Sequence, residues 1–374
     1  MSRKTKIAIL GDFPIGMLLS QYKGKKCFYA AWLYTLHNIL KKTDQYDIHW
    51  LVFNKEIKAR DIVSIDNQTF HLFPEGKATL GIITAYVKYR FIISKYLKKL
   101  NPDLLHVWGT ERFYGLAAKD FKGKTLLSVQ GILTACSKRA KLSWFERLQS
   151  IYEPCVCKKV NYISTESVWA KDRILEIAPL ANVTLWEYAP QDVFFSIKRN
   201  LTDTPTCLLA GTNTPVKDIN TAIKAFSSPK LSHVKLYLAG VKKDQGLDLP
   251  PNVIPLGLLS RDEIAVKIGE TWCLIHPSLA DSSPNIVKEA RVAGVPAIVT
   301  EDCGGKQYIE NGKSGFIIQP KDVNALIASV VQITQSKEIS IKMGSYDHER
   351  CIEALSKQTM ESGIMKLYNK ILNN

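Results

Sequence analysis

Residues 276–296 place two carboxylates around a strong helix start. Asp281 and Glu289 are eight residues apart; between them, Ser283 is a favourable N-cap residue and Pro284 suits the first helical position. We expect Asp281 in the loop before the helix and Glu289 on the helix itself. Carboxylates accept hydrogen bonds from hydroxyl groups, so the pair can bind two hydroxyl-bearing groups on either side of whatever lies between them.

The helix start predicts a site for an anion between the two carboxylates. Its first backbone N–H groups, near Pro284, Asn285, Ile286 and Val287, have no partner within the helix. They point out of the strand end with a partial positive charge, which suits a diphosphate. Glu289 lies one turn beyond Asn285 on the same face. A nucleotide sugar has the matching layout of sugar, two phosphates and ribose.

Strand and helix patterns alternate along the chain, and the alternation restarts near Thr206 after a polar stretch over 192–205. This order predicts an α/β fold with two doubly wound, Rossmann-like domains of similar size that face a cleft. We expect the domains at 1–190 and 191–357, with 358–374 returning to the first. One long helix is expected over 80–100, since Asn101-Pro102 stops it. Ligands of such sheets bind at the carboxyl ends of the strands.

Several classes of protein are excluded by missing motifs. No Gly-X-Gly-X-X-Gly follows a first strand, as in a dinucleotide dehydrogenase, and no Gly-X-Ser-X-Gly hydrolase elbow occurs. Gly11 and Gly16 have P-loop spacing, but Met17 and Leu18 follow in place of Lys and Ser or Thr. The absence of Asp-X-Asp argues against a carboxylate-held metal on the diphosphate. We therefore expect neither a metal nor another cofactor.

Composition is that of an ordinary globular protein, with 46% apolar and 23% charged residues. The eight cysteines show no zinc-ligand spacing, and Cys155 and Cys157 are interpreted as helix packing. His106 ends an apolar strand and is interpreted first as a core histidine.

No apolar stretch reaches the ~18 residues of a membrane span, and no signal-peptide pattern precedes Ile7. The expected location is cytoplasmic.

Positive charge is concentrated in the first half of the chain. Residues 1–190 hold 29 Lys and Arg against 16 Asp and Glu, or +13 of the total +15. Two stretches combine basic and aromatic residues, 80–100 and 136–148, and the second is the better candidate for contact with an anionic membrane. The aromatic residues of the first should mostly face the core. We expect peripheral attachment to the inner face of the cell membrane and no nucleic-acid partner.

The segment around the two acids resembles the donor-binding motif of the retaining, GT-B-fold glycosyltransferases of family 4. That motif has Pro-Ser, an acid, seven residues, Glu-Ala, a short gap and Gly-X-Pro. The matching residues here are Pro277-Ser278, Asp281, Glu289-Ala290, Gly294 and Pro296. The stretch 210–226 is similar to the family's Gly-Arg-x4-Lys-Gly segment, with Gly211 and Lys217 in place. Thr212 stands for the usual Arg, and Asp218 for the Gly.

The N-terminal half resembles the family only in outline. Glu153 and Ser167 fall where the family often has Glu and Ser, and Gln130 stands where many members have His. Gly24 approximates the glycine pair that usually meets the diphosphate before the first helix, and Gly16 is also expected among the donor-binding residues. Acceptor recognition belongs to this half.

The resemblance implies transfer of a sugar from a nucleotide-diphosphate sugar to a glycan or lipid-linked acceptor, in bacterial surface-polysaccharide or lipopolysaccharide assembly. Glu289 would bind the ribose, Asp281 the donor sugar, and Lys217 with the helix start the diphosphate. Leu258 and its neighbours would meet the base through backbone groups, and Gln130 would take a catalytic position. A nucleotide-sugar epimerase of the same fold and a non-catalytic protein that binds anions at a membrane or on RNA remain alternatives.

Overall fold

The computed structural model of the chain describes residues 3–22, 30–76, 78–242 and 246–374. Within them, two α/β domains each surround one sheet. The first sheet has eight strands in the order β3-β4-β2-β1-β5-β6-β7-β8, and its neighbours are parallel except β3 and β4. These strands are Thr5–Leu10 (β1), Tyr46–Asn54 (β2), Asp61–Ile65 (β3), Gln68–Pro74 (β4), Leu104–Trp108 (β5), Thr125–Ser128 (β6), Tyr162–Thr165 (β7) and Val183–Leu185 (β8).

The second sheet has six parallel strands in the order β11-β10-β9-β12-β13-β14 within the same described residues. These strands are Thr206–Ala210 (β9), Lys235–Ala239 (β10), Val253–Gly257 (β11), Cys273–His276 (β12), Ala297–Thr300 (β13) and Gly315–Ile318 (β14). Because β9 and β12 are neighbours, the loops that follow them emerge side by side at the carboxyl edge of the sheet.

Helices cover both faces of each sheet. The first domain contains Ala31–Leu40 (α1), Ala78–Ile83 (α2), Val87–Leu100 (α3), Arg112–Asp120 (α4), Leu133–Arg139 (α5), Trp144–Cys157 (α6) and Val168–Ile177 (α7). The remaining helices are Asp192–Phe195 (α8), Ile219–Phe226 (α9), Arg261–Glu270 (α10), Asn285–Val292 (α11), Val323–Ile333 (α12), Lys337–Ser345 (α13), His348–Ala354 (α14) and Lys357–Asn373 (α15).

Strands buried on both faces need continuous apolar runs, as in residues 7–10, which are all fully buried. The last helix packs onto the first domain. Its apolar residues repeat every three or four positions and join the core cluster that contains Trp186: Met360, Ile364, Leu367, Tyr368 and Ile371. Tyr368 also hydrogen-bonds His106 Nδ1 at 2.7 Å, so the end of the chain is fixed to β5.

Two features differ from the sequence-based expectations. The helix expected over 80–100 is two helices, because Ala85 and Tyr86 between them have φ of 46° and 55°. Tyr86 is buried there and accepts a hydrogen bond from Gln149 on α6 at 3.3 Å. Strand β3 was not predicted. A tight turn at Asp66 and Asn67, both with positive φ, pairs it antiparallel to β4.

Candidate active site

The loops after β9 and β12 meet over the edge of the second sheet. The Leu279 N–H donates to the Val216 carbonyl at 2.8 Å, and the Lys217 ammonium forms an ion pair with the Asp281 carboxylate. Both charged side chains line a cleft of about 530 Å³, which also reaches Gln130 from the first domain. The structure therefore brings together all three residues that the sequence placed in catalytic positions, and it shows a Lys217–Asp281 pair that the sequence did not predict.

A histidine behind Asp281 completes this cluster. His276 is buried at the end of β12, and its Nε2 lies 2.9 Å from Asp281 Oδ2 and 3.0 Å from Ser278 Oγ. Burial raises the pKa of Asp281, but Lys217 and His276 outweigh it and hold that pKa well below its usual range. Burial lowers the pKa of His276. The cluster therefore favours the ionised form of the Asp281 carboxylate, which His276 contacts.

Helix α11 begins one residue later than expected. Pro284 has φ −67° and ψ 119°, so it is the N-cap residue, and Ser283 is not. The Ser283 hydroxyl is buried without a hydrogen-bond partner in the described part of the chain. Val287 N–H already donates to Pro284 O at 3.1 Å. Among the described residues, the N–H groups of Asn285 and Ile286 are therefore the donors at this helix start without a recorded partner, and Val287 contributes packing instead.

Glu289 lies on α11 one turn beyond the free N–H groups. Its side chain is half-buried and has no hydrogen bond or ion pair among residues 3–22, 30–76, 78–242 and 246–374. Burial raises the pKa of Glu289 to about 7, against the opposing charges of Arg261 and Lys288. A half-buried carboxylate without a partner can accept hydrogen bonds from an incoming ligand.

The remaining positions that the resemblance assigned to donor binding are found in three loops. The close backbone approach in the first loop depends on Gly240, at φ 90°, where a Cβ would lie 2.6 Å from the Gly211 carbonyl oxygen; a Cβ on Gly211 itself would meet Lys217 Cγ at an ordinary 3.7 Å. Thr212 is exposed beside it. The Leu258 side chain is 84% exposed. Gly16 lies in a 3₁₀ turn over Ile15–Met17.

Gly24 lies outside the described residues.

The residue after Lys217, Asp218, has a backbone conformation that glycine adopts most easily. Asp218 has φ 48° and ψ 46°, in the left-handed region that glycine enters without steric cost. Aspartate is among the few other residues that tolerate it, and here its carboxylate also accepts a hydrogen bond from Thr221 Oγ1 at 2.6 Å. The loop that carries Lys217 therefore keeps its turn without the glycine.

Glu153 shapes the first-domain wall of the cleft. It is buried on α6 and accepts hydrogen bonds from the N–H groups of Leu133 and Thr134, at 3.1 and 2.8 Å, and from two threonine hydroxyls. These N–H groups begin helix α5, so Glu153 fixes the 130–134 loop that carries Gln130. The sequence resemblance pointed to this residue but gave it no role.

Direct contacts join the two domains beside α11. Ser167 Oγ donates to the Ser282 carbonyl at 2.5 Å, and Lys288, fully buried on α11, forms an ion pair with Glu166. Glu187 lies 3.9 Å from the same ammonium. Helix α11 is thus attached to the strand ends of the first domain.

The surroundings of His106, Cys155 and Cys157 test the interpretations that the sequence gave for them. His106 is fully buried, with its Nε2 2.8 Å from Ser128 Oγ, which confirms the interpretation as a core histidine. Cys157 packs in the core, but Cys155 is exposed, so the packing interpretation was wrong for Cys155.

Across the described ranges, no group of three or more His, Cys, Asp or Glu side chains could hold a metal ion. No described helix is long and apolar enough to cross a membrane.

Two Rossmann-like domains that face a cleft, with acidic and basic groups at the facing strand ends, define the GT-B class. Solved structures support this assignment. Sucrose-phosphate synthase from Thermosynechococcus elongatus superimposes with a TM-score of 0.79 at 15% identity, over 99% of this chain and 100% of that one. Anabaena HepE in complex with UDP and glucose gives a TM-score of 0.69 at 14% identity, over 98% and 100%. These likenesses establish the fold.

Residues 191–350 match the family model of the glycosyl transferases group 1. The chain is similar to that family over this stretch, which is less than half of its length. It is also 32% identical over 81 residues to the Escherichia coli UDP-Gal:alpha-D-GlcNAc-diphosphoundecaprenol alpha-1,3-galactosyltransferase, over 22% of this chain and 21% of that protein. The alignments with the curated relatives span between 21% and 44% of those proteins.

Proposed function

We propose that this protein is a retaining glycosyltransferase that moves a sugar from a nucleotide-diphosphate sugar to a glycan or lipid-linked acceptor in bacterial surface-polysaccharide assembly. One observation carries the proposal: Lys217 and Asp281 pair in the loops at the strand ends, α11 begins four residues after Asp281, and Glu289 on that helix has no hydrogen bond or ion pair among the described residues. Relatives that are named as glycosyltransferases support it, among them a Staphylococcus aureus capsular polysaccharide biosynthesis glycosyltransferase, 24% identical over 98 residues.

Each residue has a role that its surroundings suit. Glu289 accepts hydrogen bonds from the ribose hydroxyls, and Asp281 accepts them from the donor sugar. Lys217 exchanges its contact with Asp281 for the diphosphate, which it stabilises together with the Asn285 and Ile286 N–H groups as the diphosphate leaves. The acceptor hydroxyl attacks on the face that the diphosphate vacates, and a phosphate oxygen takes its proton. Retention of configuration follows from attack on that face.

The first experiment is a thermal-shift screen against nucleotide sugars and free nucleotides. A ligand at 100 times its dissociation constant stabilises the folded state by ~2.7 kcal/mol. The stabilising donor is then incubated with glycan and lipid-linked acceptors, and the anomeric configuration of the product is determined. Release of free nucleotide with a changed sugar and no transfer would favour an epimerase. Stabilisation by unrelated polyanions alone would favour a non-catalytic anion-binding protein.

We expect nucleotide affinity to depend on pH through Glu289. The ionised carboxylate accepts hydrogen bonds from both ribose hydroxyls, so binding favours ionisation and lowers a pKa that burial has raised to about 7. Affinity should therefore rise with pH and level off above about 7, with at most a tenfold change per pH unit below it. Calorimetric titration with the nucleotide between pH 5.5 and 8.5 measures this.

The Glu289→Gln variant is the control, because the phosphates of the nucleotide titrate in both proteins. The difference between the two pH profiles should isolate the carboxylate. Identical profiles would show that Glu289 does not face the ribose.

We expect transfer without a metal ion. Lys217 and the N-terminal end of α11 supply positive potential where charge develops, which is the task that a metal performs in other transferases. Initial rates should be the same in excess EDTA as in added magnesium or manganese. Complete loss in EDTA, restored by either ion, would contradict this expectation.

We also propose that the first domain attaches to anionic membranes. On α6, Trp144 and Ile151 are 57% and 67% exposed, with Lys141 and Arg147 exposed nearby. The adjoining α2–α3 surface exposes Ile83, Val87 and Phe91, whereas Tyr86 and Tyr89 face the core as expected. Tyr152 OH joins the two surfaces through the Ile82 carbonyl at 3.4 Å. Exposed apolar groups beside basic ones suit a membrane interface.

Liposome sedimentation tests this attachment. Binding to anionic vesicles should weaken as salt rises, since each basic residue near the surface contributes about 1 kcal/mol that salt screens. The double variant Lys141→Gln/Arg147→Gln should bind less tightly. The matched pair Lys224→Gln/Lys235→Gln, exposed in the second domain, should bind as the wild type does. Equal binding to neutral and anionic vesicles would refute the electrostatic explanation.

A further inference from the structure

A second cavity of about 860 Å³ lies at the junction of the two domains, separate from the cleft at Asp281. We call it the junction cavity. The start of α7, the end of α5 and the loops after β13 and β14 enclose it. The lining residues that matter for the argument are Lys138, Arg139, Trp169, Arg173, Lys306 and Lys321.

The lining of the junction cavity has an excess of positive charge. Five basic side chains face three acidic ones, Asp172, Glu301 and Asp302. Arg139 neutralises Asp302 at 3.0 Å, and Lys306 neutralises Glu301 at 2.7 Å.

Two basic side chains of the lining can still form an ion pair or donate a hydrogen bond to a ligand. Lys321 has no ion pair in the part of the chain that the structure describes. The Arg173 Nε is buried there without a hydrogen-bond partner, although its Nη2 reaches Glu176 at 2.9 Å. Glu176 also pairs with Lys138 at 3.3 Å, so Arg173 can turn toward a ligand without leaving that carboxylate unpaired.

The position of the junction cavity also suits an anion. It lies at the carboxyl ends of β7, β13 and β14, the edge at which doubly wound sheets bind ligands. The ten-residue helix α7 begins in its wall at Val168 and Trp169, so the positive end of the helix dipole faces it.

The junction cavity adjoins the cleft that holds Lys217 and Asp281. Trp169 lines both spaces, and α5 contributes Cys136 to the cleft and Lys138 with Arg139 to the junction cavity. The loop after β12 is shared in the same way, with Leu279 on one side and residues 280–282 on the other. A molecule whose sugar lies in the cleft can therefore extend past Trp169.

We propose that the junction cavity binds a phosphate or diphosphate group of the acceptor. This inference rests on the proposed function, because it takes the cleft as the place of sugar transfer. It makes the acceptor a phosphorylated molecule, either a free sugar phosphate or a lipid-linked diphosphate. A neutral glycan would leave the excess charge and the free Arg173 Nε without a partner.

Calorimetric titration with pyrophosphate tests the cavity independently of sugar transfer. The Lys217→Ala background weakens the donor site, so binding that remains reports the junction cavity. Arg173→Gln/Lys321→Gln in that background should weaken pyrophosphate binding at least tenfold, and high salt should weaken it further. The exposed pair Lys224→Gln/Lys235→Gln, with two charges removed elsewhere, should change affinity less than twofold. Unchanged affinity in the cavity variant would overturn the proposal.

Two organic probes then separate the sources of the phosphate. Glucose 6-phosphate represents a free sugar phosphate, and farnesyl diphosphate represents a lipid-linked diphosphate. Tighter binding of one, lost in the Arg173→Gln/Lys321→Gln variant, would identify the acceptor class. Binding of pyrophosphate but of neither probe would overturn the acceptor assignment. Failure of the nucleotide screen would refute the donor site instead, since that screen does not involve the junction cavity.

Discussion

Lys217→Ala should lower the rate of sugar transfer by 10²–10³ while the protein remains folded. Transfer builds negative charge on the departing diphosphate, and Lys217 is the cation held at that strand end. Loss of one preorganised donor to developing charge typically costs ~2.7–4 kcal/mol of transition-state stabilisation. Thr212 stands where the family has a second cation, so we expect Lys217 to carry a larger share of the stabilisation here. Single-turnover transfer with the identified donor measures the effect.

Two controls make this result specific. Lys224→Ala removes an exposed lysine from α9 in the same domain and should leave the rate unchanged. Melting temperature is the control for folding. The Lys217 side chain is 30% exposed and contributes little to the core, so the variant should remain folded. A near-normal rate in Lys217→Ala would show that the diphosphate binds elsewhere.

The ion pair makes the effects of Lys217 and Asp281 depend on each other. In Lys217→Ala the Asp281 carboxylate, 14% exposed, keeps one side-chain partner among the described residues, His276. Part of the loss then comes from an uncompensated charge beside the diphosphate. Asp281→Asn removes that charge, so the double variant should lose less than the two single losses added together. Additive losses would mean that the two groups act on separate parts of the donor.

Local sequence signals predicted most of α11 correctly, and the error at its start has a physical cause. Proline fixes φ near −65° but leaves ψ free, so Pro284 can be the first helical residue or the N-cap. Here ψ is 119°, and the helix begins at Asn285. Glu289 is still one turn from the free N–H groups, because helix periodicity does not depend on the cap.

Contacts between distant segments could not be predicted from the same signals. Lys217 and Asp281 are 64 residues apart, and they meet because β9 and β12 are neighbours in the sheet order. Glu166 and Lys288 are 122 residues apart and belong to different domains. Lys288 precedes Glu289 on an amphipathic helix, where a lysine is ordinarily solvated. Only the arrangement of the two domains shows that it is buried.

Lys288→Met should destabilise the protein by about 3–5 kcal/mol, the typical cost of removing one partner of a buried ion pair. Lys288 is fully buried, Glu166 nearly so, and Glu187 lies 3.9 Å from the ammonium. Methionine fills similar volume, so the loss reports charge rather than a cavity. Urea unfolding monitored by tryptophan fluorescence measures it. Lys313→Met, which breaks an exposed pair with Glu310, is the matched control and should leave stability nearly unchanged.

The size of this loss should depend on pH. Burial already raises the pKa of Glu166 to about 7, and Lys288 is the charge that opposes the rise. Without Lys288 the pKa of Glu166 rises further. At pH values between the pKa of Glu166 in the unfolded state and this raised pKa, the native state binds more protons than the unfolded state does. Stability of Lys288→Met should then fall as pH increases from 5.5 to 8, and Glu166→Gln in the same chain should remove most of that slope. A loss equal at both pH values would mean that Lys288 acts by packing, and the ion pair would not be what holds α11 to the first domain.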